Sequence, residues 1–335
     1  MGQNICRLNA FTERCERTFI CLHIYYNSHK IKVNRRLEKR LQPEYKHRLD
    51  SLTRINLDDM LVSLGWQNSK MGASIANIVF QVPARRLARQ VIEFDDGVHR
   101  LGLQEGSRRI LTAFVESVRV TGQENIPGSG PLLVLSNHPG MADTLALFAS
   151  LPRPDLNVVG AERPFLQALP AVTRYLIYVP EQSEARMHVM RSMVAVLRRG
   201  QAVLTFPAGR IEPDPAVIPG AVDSLNDWSE SIAIPVRMVP ELQIVVAVVS
   251  HVLVPQATYH SLTRLRRQNK DRERLGAMIQ LVMHTLFPRI WPVTVEITFT
   301  PPLPGASLVA LHEPRAITRA VVDFARPYIA AASQV

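Results

Sequence analysis

From residue 113 onward, short apolar runs alternate with segments whose apolar residues recur at helical spacing. The short runs predict strands and the longer periodic segments predict helices. The predicted strands are 114–120, 131–135, 156–159, 176–179, 202–206, 244–249 and 293–299. The predicted helices are 142–151, a stretch within 163–175, 184–199 and 312–333. This alternation predicts an α/β fold with a mixed, largely parallel central sheet flanked by helices and preceded by a helical N-terminal region.

Two of the predicted strands differ in pattern. The uninterrupted apolar run 244–249 is typical of a buried central strand. The alternation in 293–299 favours an outer strand.

A helical period also precedes this region, beginning at about residue 74. Its apolar positions are Ile75, Ile78, Val79, Val82, Leu87, Val91 and Ile92, and the arginines beside them are Arg85, Arg86, Arg89 and Arg100. Pro83 is expected to break or kink the helix, because a proline removes a backbone hydrogen bond and crowds the preceding turn. Two interpretations stay open: a helix that packs on the main domain, or a basic amphipathic face that lies on anionic lipid.

The patterning divides the chain into three parts. Residues 1–60 form a basic, poorly patterned N-terminal extension. Residues 61–112 form a helical region, which is the candidate membrane-surface region. Residues 113–335 form the main domain.

The net positive charge is concentrated at the start of the chain. The 335 residues include 39 Lys and Arg against 29 Asp and Glu, a formal net charge of +10. Residues 1–50 hold eleven of the basic residues and five of the acidic ones, so more than half of the excess lies there. Such a segment attracts a polyanion, either a nucleic-acid backbone or an anionic lipid surface. A hydrophobic fraction of 47% argues against a disordered chain.

The sequence also restricts the cellular location. No apolar stretch approaches the roughly 20 residues that a membrane-spanning helix requires. Charged residues such as Arg7, Glu13 and Arg14 interrupt the first segment, which argues against a secretory signal peptide. Three cysteines cannot form the dense disulfide framework of a small secreted domain. We expect a peripheral protein on the cytoplasmic side of a membrane, with no transmembrane helix and no signal peptide.

The densest chemical signal lies where the predicted strand 131–135 ends. The sequence there is Ser136-Asn137-His138-Pro139-Gly140-Met141-Ala142-Asp143, a turn-forming segment that leads into a helix. Active sites of α/β sheets gather at the carboxyl ends of strands. A carboxylate bonded to one imidazole nitrogen raises the basicity of the other, so Asp143 would make His138 a general base. The alternative is a surface histidine beside a helix-capping aspartate.

A second strand end carries Phe206-Pro207-Ala208-Gly209-Arg210. Pro207 and Gly209 favour an irregular loop with free backbone N–H groups, and the planar guanidinium of Arg210 suits a phosphate. The alternative is a solvated arginine in a turn.

Together these segments and their lead-in, Val118 to Pro127 followed by Gly130-Pro131, resemble the glycerolipid acyltransferase family, whose members acylate glycerol-3-phosphate or lysophosphatidic acid. That family carries His-x-x-x-x-Asp after a strand, usually preceded by Asn, and later Phe-Pro-Glu-Gly-Thr-Arg. Here Phe206 follows His138 by 68 residues. The resemblance covers roughly residues 113–300 and implies that 113–335 is an acyltransferase domain.

The resemblance assigns roles residue by residue. His138 and Asp143 are the expected catalytic pair. The expected substrate-binding residues are Asn137, Phe206, Pro207, Gly209, Arg210, Arg186 and Arg163. The chain departs from the family where the family's Glu falls on Ala208 and where Arg210 comes one residue early. Glu212, just beyond, is a candidate to restore a carboxylate to the site.

The implied activity is transfer of a fatty acyl group from an acyl thioester, acyl-CoA or acyl carrier protein, to a hydroxyl of a glycerophosphate or lysophospholipid. His138 would act as general base without an acyl-enzyme, which agrees with the absence of a Gly-x-Ser-x-Gly segment. No cofactor and no metal are expected. An anionic membrane surface is the expected further partner, contacted by basic residues in 85–89 and 264–274, although a solvated basic helix is the alternative for 264–274.

Two other functions stay open. Ala208 suggests a catalytically impaired relative that acts as a peripheral lipid-binding protein. The basic segments 1–50 and 264–274 suggest nucleic-acid binding, but no recognisable nucleic-acid motif accompanies them and aromatic residues make up only 6%, so no nucleic-acid partner is expected.

The remaining metal-ligand residue types show no site pattern. Cys6, Cys15, Cys21 and His23 lack the close Cys-x-x-Cys spacing of structural zinc sites. We expect His251, His260 and His284 to be core or surface histidines.

Overall fold

A computed structural model of the chain describes residues 43–179, 186–288 and 290–334. The chain divides into two compact units, Met1–Ser51 and Leu52–Val335. In the first unit the described residues, 43–51, are helical. The zinc candidate of Cys6, Cys15, Cys21 and His23 lies outside the described residues.

The second unit alternates strands and helices, as the sequence pattern predicts. The helices are α1 (Pro43–Leu64), which begins in the first unit, α2 (Lys70–Leu111), α3 (Met141–Ser150), α4 (Pro164–Gln167), α5 (Pro170–Thr173), α6 (Arg186–Arg198), α7 (Ala221–Ser224), α8 (Ala233–Met238), α9 (Pro255–Thr258), α10 (Asn269–Leu286), α11 (Ala306–Val309) and α12 (Pro314–Ala332). The strands are β1 (Ser117–Thr121), β2 (Leu132–Ser136), β3 (Leu156–Ala161), β4 (Leu176–Val179), β5 (Ala202–Thr205), β6 (Gln243–Ser250), β7 (Thr294–Phe299) and β8 (Leu303–Pro304). Short 3₁₀ turns cover Gln123–Asn125, Leu225–Asp227, Glu230–Ile232 and Ser261–Leu265.

The strands form one sheet in the order β1-β7-β6-β2-β5-β3-β4, with β8 paired to β6. Strand β6 is antiparallel to β7 and β8, and the other pairs are parallel. The prediction of a mixed, largely parallel sheet flanked by helices is therefore confirmed. The alternating strand β7 lies between β1 and β6, so it is one position inside the edge rather than outermost.

The main hydrophobic core lies on one face of this sheet. Alternate residues of β2, β5 and β6 pack there against α6, α8 and α12. All five residues of β2 are buried, as expected for a strand whose two faces are both covered. The centre of the sheet is therefore a rigid base for the loops that follow β2 and β5.

Helix α2 is long and consists of two parts. It runs through Pro83, which is buried, and its backbone leaves helical geometry at Gly102 (φ 82°, ψ 169°). Pro83 therefore does not break the helix, and whether it kinks the helix stays a prediction. Beyond Gly102 the chain folds back, since a Cβ on Gly106 would lie 2.8 Å from the backbone nitrogen of Val98.

The predicted apolar stripe of α2 also divides into two. Its second half is buried, including Leu87, Val91 and Ile92. The first half is exposed and is named here the α2 apolar stripe: Met71, Ile75, Ile78, Val79 and Val82.

Helix α1 crosses the expected boundary after residue 60. Its buried side from residue 52 onward mixes apolar Leu52 and Met60 with polar Thr53 and Asn56. The Asn56 side-chain amide donates to the Ala84 carbonyl of α2 at 3.0 Å. Because polar residues interrupt the apolar spacing, the sequence shows no helical period here, and this helix was not predicted.

Across the described ranges, no helix combines the length and the apolar character that crossing a membrane requires.

Candidate active site

Two chain segments that are far apart in sequence meet at one edge of the sheet. Strands β2 and β5 are parallel neighbours, so both carboxyl ends lie at this edge. His138 follows β2 closely and Phe206 follows β5 directly. Their rings stack with centroids 4.3 Å apart and an interplanar angle of 30°.

His138 is bonded to Asp143, as the sequence predicts. Its Nδ1 lies 2.9 Å from Asp143 Oδ2, which also accepts the Gly140 N–H at 2.9 Å. The other oxygen, Oδ1, accepts from the Thr144 hydroxyl at 2.8 Å. Asp143 is fully buried in the first turn of α3, where the helix dipole favours a negative charge. The carboxylate therefore caps the helix and orients the imidazole at the same time.

This arrangement gives His138 the properties of a general base. Burial lowers the pKa of the imidazole, but the charge and hydrogen bond of Asp143 and the charge of Glu212 raise it, and the pKa is raised overall. Because Asp143 accepts at Nδ1, the proton of the neutral ring lies there and Nε2 is free to accept another. The His138 side chain is 24% exposed, so a substrate can reach it.

The loop after β5 turns sharply beside His138. Gly209 adopts φ 63° and its N–H donates to the Phe206 carbonyl at 3.0 Å. The carbonyl of buried Pro207 accepts from Ser229 at 3.1 Å. Ala208, where the family's Glu falls, packs against the core of the sheet. The loop thus presents the Phe206 ring to His138, while the contact of Pro207 and Gly209 with substrate stays a prediction.

Glu212 joins the two segments through the backbone of His138. Its N–H donates to the His138 carbonyl at 2.9 Å, and its Oε2 accepts the His138 N–H at 3.2 Å. Its Oε1 accepts from Ser224 Oγ and Trp228 Nε1, each at 3.1 Å. Burial raises the pKa of Glu212 to about 7, against the opposing effect of these donors and of the His138 charge. A carboxyl group is therefore present at the site, although not at position 208.

Two other buried polar side chains fix the strand ends. Asn137 uses both ends of its amide on Val249 of β6, donating to the carbonyl and accepting from the N–H, each at 2.8 Å. Its observed role is to brace β2 against β6, and direct substrate contact stays a prediction. Asp214 accepts backbone N–H groups of His251, Val252 and Leu253 at 3.0, 2.7 and 2.9 Å. Asp214 therefore ties the loop after β5 to the segment after β6.

Arg210 lies in the same loop and is about half exposed. Its guanidinium pairs with Asp227 and donates to the Ile211 carbonyl at 3.3 Å. Burial raises the pKa of Glu273 in α10, and the charge of Arg210 opposes that shift. Arg210 therefore faces acidic groups of the protein, and its role in binding a phosphate stays a prediction.

The other two predicted arginines lie elsewhere. Arg163 is an exposed residue before α4. Burial raises the pKa of Asp59 in α1, and the charges of Arg274 and Arg163 oppose that shift. Arg163 therefore lies near α1. Arg186 is the first residue of α6, and its side chain lies outside the described residues.

The three histidines expected to be core or surface residues, His251, His260 and His284, make structural contacts. His251 Nδ1 lies 3.2 Å from Ser250 Oγ, His260 Nδ1 accepts the Leu262 N–H at 3.2 Å, and His284 Nε2 lies 3.0 Å from the Trp291 carbonyl. Within the part of the chain that the structure describes, no group of three or more His, Cys, Asp or Glu side chains could hold a metal ion.

The sequence did not predict the hydrogen bonds that Ser224 and Trp228 donate to Glu212. Ser224 and Trp228 lie in α7 and just after the 3₁₀ turn Leu225–Asp227, where no apolar period exists to place them. Thr144 was also missed, although its place next to Asp143 was a signal that could have found it.

Comparison with known proteins agrees with this geometry. Residues 117–238 match the model of the family described as Acyltransferase. No match was found among curated proteins. Among solved structures, the chain is similar to the 1-acyl-sn-glycerophosphate (LPA) acyltransferase PlsC from Thermotoga maritima, at 17% identity and a TM-score of 0.44 over 87% of this chain and 98% of that one.

The matched segment contains both His138 with Asp143 and the loop from Phe206 to Glu212. Residues 117–238, which carry the candidate site, are therefore similar to the acyltransferase family. This match supports the assignment of the protein as an acyltransferase.

Proposed function

We propose that this acyltransferase transfers a fatty acyl group from an acyl thioester, acyl-CoA or acyl carrier protein, to a hydroxyl of a glycerophosphate or lysophospholipid. The observation that carries the proposal is the 2.9 Å bond between His138 Nδ1 and buried Asp143 at the carboxyl edge of the sheet. The family match to residues 117–238 supports acyl transfer, and the resemblance of the two motif segments supports the glycerolipid acceptor.

The reaction follows from the two nitrogens of His138. Nε2 removes the proton from the acceptor hydroxyl while the hydroxyl oxygen attacks the thioester carbonyl carbon. A carbon–oxygen bond forms, the carbon–sulfur bond breaks, and the departing thiolate takes the proton back from Nε2. Asp143 stabilises the imidazolium between these steps. No acyl-enzyme is required, and the nearby Ser136 is fully buried with its hydroxyl donated to the Asn137 carbonyl. No cofactor or metal takes part in this scheme.

The acceptor phosphate would bind at Arg210, with Arg163 and Arg186 as further candidates. Arg210 is half exposed, so a phosphate can approach its guanidinium. The present partner is the carboxylate of Asp227, which a phosphate would replace as the acceptor of the guanidinium hydrogen bonds.

The enzyme would work as a peripheral protein on an anionic membrane surface. The α2 apolar stripe exposes 81% of Ile78 and 57% of Val79 to solvent, far more than a helix packed on a core would. Arginines Arg85, Arg86 and Arg89 follow the stripe along the same helix, but they are half-buried, and Arg86 donates to the Leu286 carbonyl at 3.3 Å. The exposed apolar residues therefore carry the proposal, because such a stripe is typical of an interfacial helix.

The test is an assay of radiolabelled acyl transfer from acyl-CoA and from acyl carrier protein. The acceptor panel includes glycerol-3-phosphate, lysophosphatidic acid and other lysophospholipids, each with and without anionic vesicles. We expect a labelled ester with at least one phosphate-bearing acceptor, higher rates with vesicles, and a loss of about 10²–10⁴-fold in kcat for His138→Ala. Equal rates for wild type and His138→Ala would overturn the mechanism.

The alternative of a catalytically impaired lipid-binding relative rests on Ala208, which replaces the family's Glu and packs into the core. It would be supported if the wild-type protein bound the vesicles and transferred no acyl group to any acceptor. Salt-dependent binding to duplex DNA but not to vesicles would instead support a nucleic-acid partner.

A further inference from the structure

Glu212 is a buried carboxyl group that the proposed reaction does not use directly. It is 1% exposed, and all of its contacts described above lie on the His138 backbone or on Ser224 and Trp228. A buried carboxyl group is costly unless it is well bonded, so its place beside the catalytic histidine requires an explanation.

We infer that Glu212 is a positioning residue for His138 and supplies the carboxylate that the family resemblance places at Ala208. This inference rests on the proposed function, in which His138 is the general base.

Glu212 makes hydrogen bonds on both sides of the His138 Cα. Its side-chain Oε2 accepts the His138 N–H at 3.2 Å, and its backbone N–H donates to the His138 carbonyl at 2.9 Å. The side chain starts at the Cα, so fixing both peptide groups fixes the direction in which the imidazole leaves the backbone. Asp143 holds the Nδ1 edge of the ring and Phe206 stacks on its face. The ring is therefore held from the backbone, the edge and the face.

The carboxylate is suited to this place by its hydrogen-bonding capacity. Oε2 faces the backbone N–H of His138, and Oε1 faces the indole N–H of Trp228, which can only donate. Glutamine has a single acceptor oxygen, so a Glu212→Gln side chain would point its NH₂ group at one of these two donors. Aspartate keeps the charge but is one methylene shorter.

The charge of Glu212 also acts on the ring. The ionisable group that faces Glu212 is the His138 imidazole, which in turn faces Asp143. The positive charge that His138 gains during acyl transfer is therefore stabilised by two nearby carboxyl groups.

The first experiment measures the pKa of His138 without using activity. The full-length protein is labelled on its histidine rings, and the His138 resonance is assigned by its disappearance in His138→Ala. We expect its pKa to fall in Glu212→Gln, because one of the two carboxylates that raise it is removed. The matched control is Asp214→Asn, which changes an equally buried carboxyl group two residues away that bonds to the segment after β6. It should leave the His138 pKa unchanged.

The second experiment is acyl-transfer kinetics across pH. Displacing a catalytic group can cost on the order of 10²-fold in rate, so we expect Glu212→Gln to lower kcat at least about tenfold, with little change in the acceptor KM. The pH at which kcat reaches half of its plateau should fall together with the His138 pKa. Glu212→Asp keeps the charge but shortens the side chain. Its pH profile should therefore be closer to that of wild type than its kcat is.

The outcomes separate the inference from the function on which it rests. An unchanged His138 pKa in Glu212→Gln, or the same shift in Asp214→Asn, would overturn the inference even if acyl transfer is confirmed. If the wild-type protein transfers no acyl group, the proposed function fails, while the titration still decides whether Glu212 acts on His138.

Discussion

The orientation and the pKa of His138 are set by three residues that contact different parts of it. Asp143 binds the ring, Phe206 covers its face and Glu212 holds the backbone from which it extends. The sequence was sufficient to predict the first of these, because a histidine and an aspartate five residues apart at a strand end form a recognisable pattern. It could not predict the support from Trp228, because this depends on an irregular loop in which neither helical nor strand periodicity applies.

The charge of Asp143 leads to a prediction for activity against pH. Asp143 raises the pKa of His138, which burial alone would lower, so Asp143→Asn should lower that pKa. A general base works when neutral, and the acidic limb of the kcat profile should therefore move to lower pH. The plateau should fall by about 10²–10⁴-fold, because the imidazolium loses its partner. A limb that stays in place, measured by initial rates from pH 5 to 9, would contradict this.

The raised pKa of Glu212 leads to a prediction for stability. Because its pKa in the folded protein is about 7 against an ordinary 4.5, the folded state binds this proton more tightly than the unfolded state. This tighter proton binding adds to the free energy of unfolding, by at most about 3 kcal/mol. The stabilisation is complete below about pH 4.5 and is lost as the pH rises through about 7.

Urea unfolding of wild type and Glu212→Gln at pH 5 and pH 8 tests this prediction. The free energy of unfolding should fall more from pH 5 to pH 8 in wild type than in the variant. Groups other than His138 are the same in both proteins and cancel in the comparison, and the lower His138 pKa expected in the variant changes the difference in the same direction. Equal falls would show that Glu212 does not titrate as described.

At the scale of elements, most strands were predictable, because each is a short apolar run between turn residues. Strand β4 has the predicted bounds, β5 ends one residue earlier than predicted, and β2 is shifted by one residue at both ends. Strand β1 begins three residues later than predicted, since Phe114 and Val115 are buried in the turn that follows α2. Helix α1 and the passage of α2 through Pro83 could not be predicted, because long-range packing overrides the local pattern there.

The fold-back of α2 leads to a prediction at Gly102. A residue with a Cβ is strained at φ 82° and ψ 169°, even though the nearest atom to an added Cβ is 3.9 Å away. Gly102→Ala should therefore lower the free energy of unfolding by about 1–3 kcal/mol, measured by urea denaturation. Gly128→Ala is the matched control, because an added Cβ there meets no atom within 4 Å, and it should change stability by less than about 0.5 kcal/mol. An equal effect of both substitutions would contradict the role of Gly102.

At the scale of the whole molecule, the net charge of +10 and the α2 apolar stripe favour the same partner. In the proposed membrane binding, cations would attract the protein to an anionic bilayer from a distance, and apolar side chains would retain it there. The basic run 264–274 contributes less than its sequence suggests, because Arg266 pairs with Asp271 and Arg272 donates to the Arg266 carbonyl at 2.8 Å. These charges can be counted from the sequence. Which of them form ion pairs or hydrogen bonds within the protein is seen only in the structure.

Membrane binding through this stripe leads to a prediction for Ile78→Glu combined with Val79→Glu. Burying one such side chain contributes about 1.5–3 kcal/mol, so the double variant should bind anionic vesicles at least about tenfold more weakly in a sedimentation assay. Both side chains are exposed, so the melting temperature should not change. Val309→Glu, at an exposed apolar residue of α11, should bind as wild type does. If both proteins retain full binding, the membrane surface lies elsewhere.

The antiparallel strand β6 has a consequence for any attempt to cut out the recognisable segment. The family match ends at residue 238, before β6 begins at Gln243. Without β6, the fully buried strand β2 would have a bare edge, and without β7, strand β1 would lose the one neighbour that the described sheet gives it. A fragment of residues 117–238 would expose strand edges that promote aggregation, so the matched segment is a signature of the fold rather than a self-sufficient folding unit.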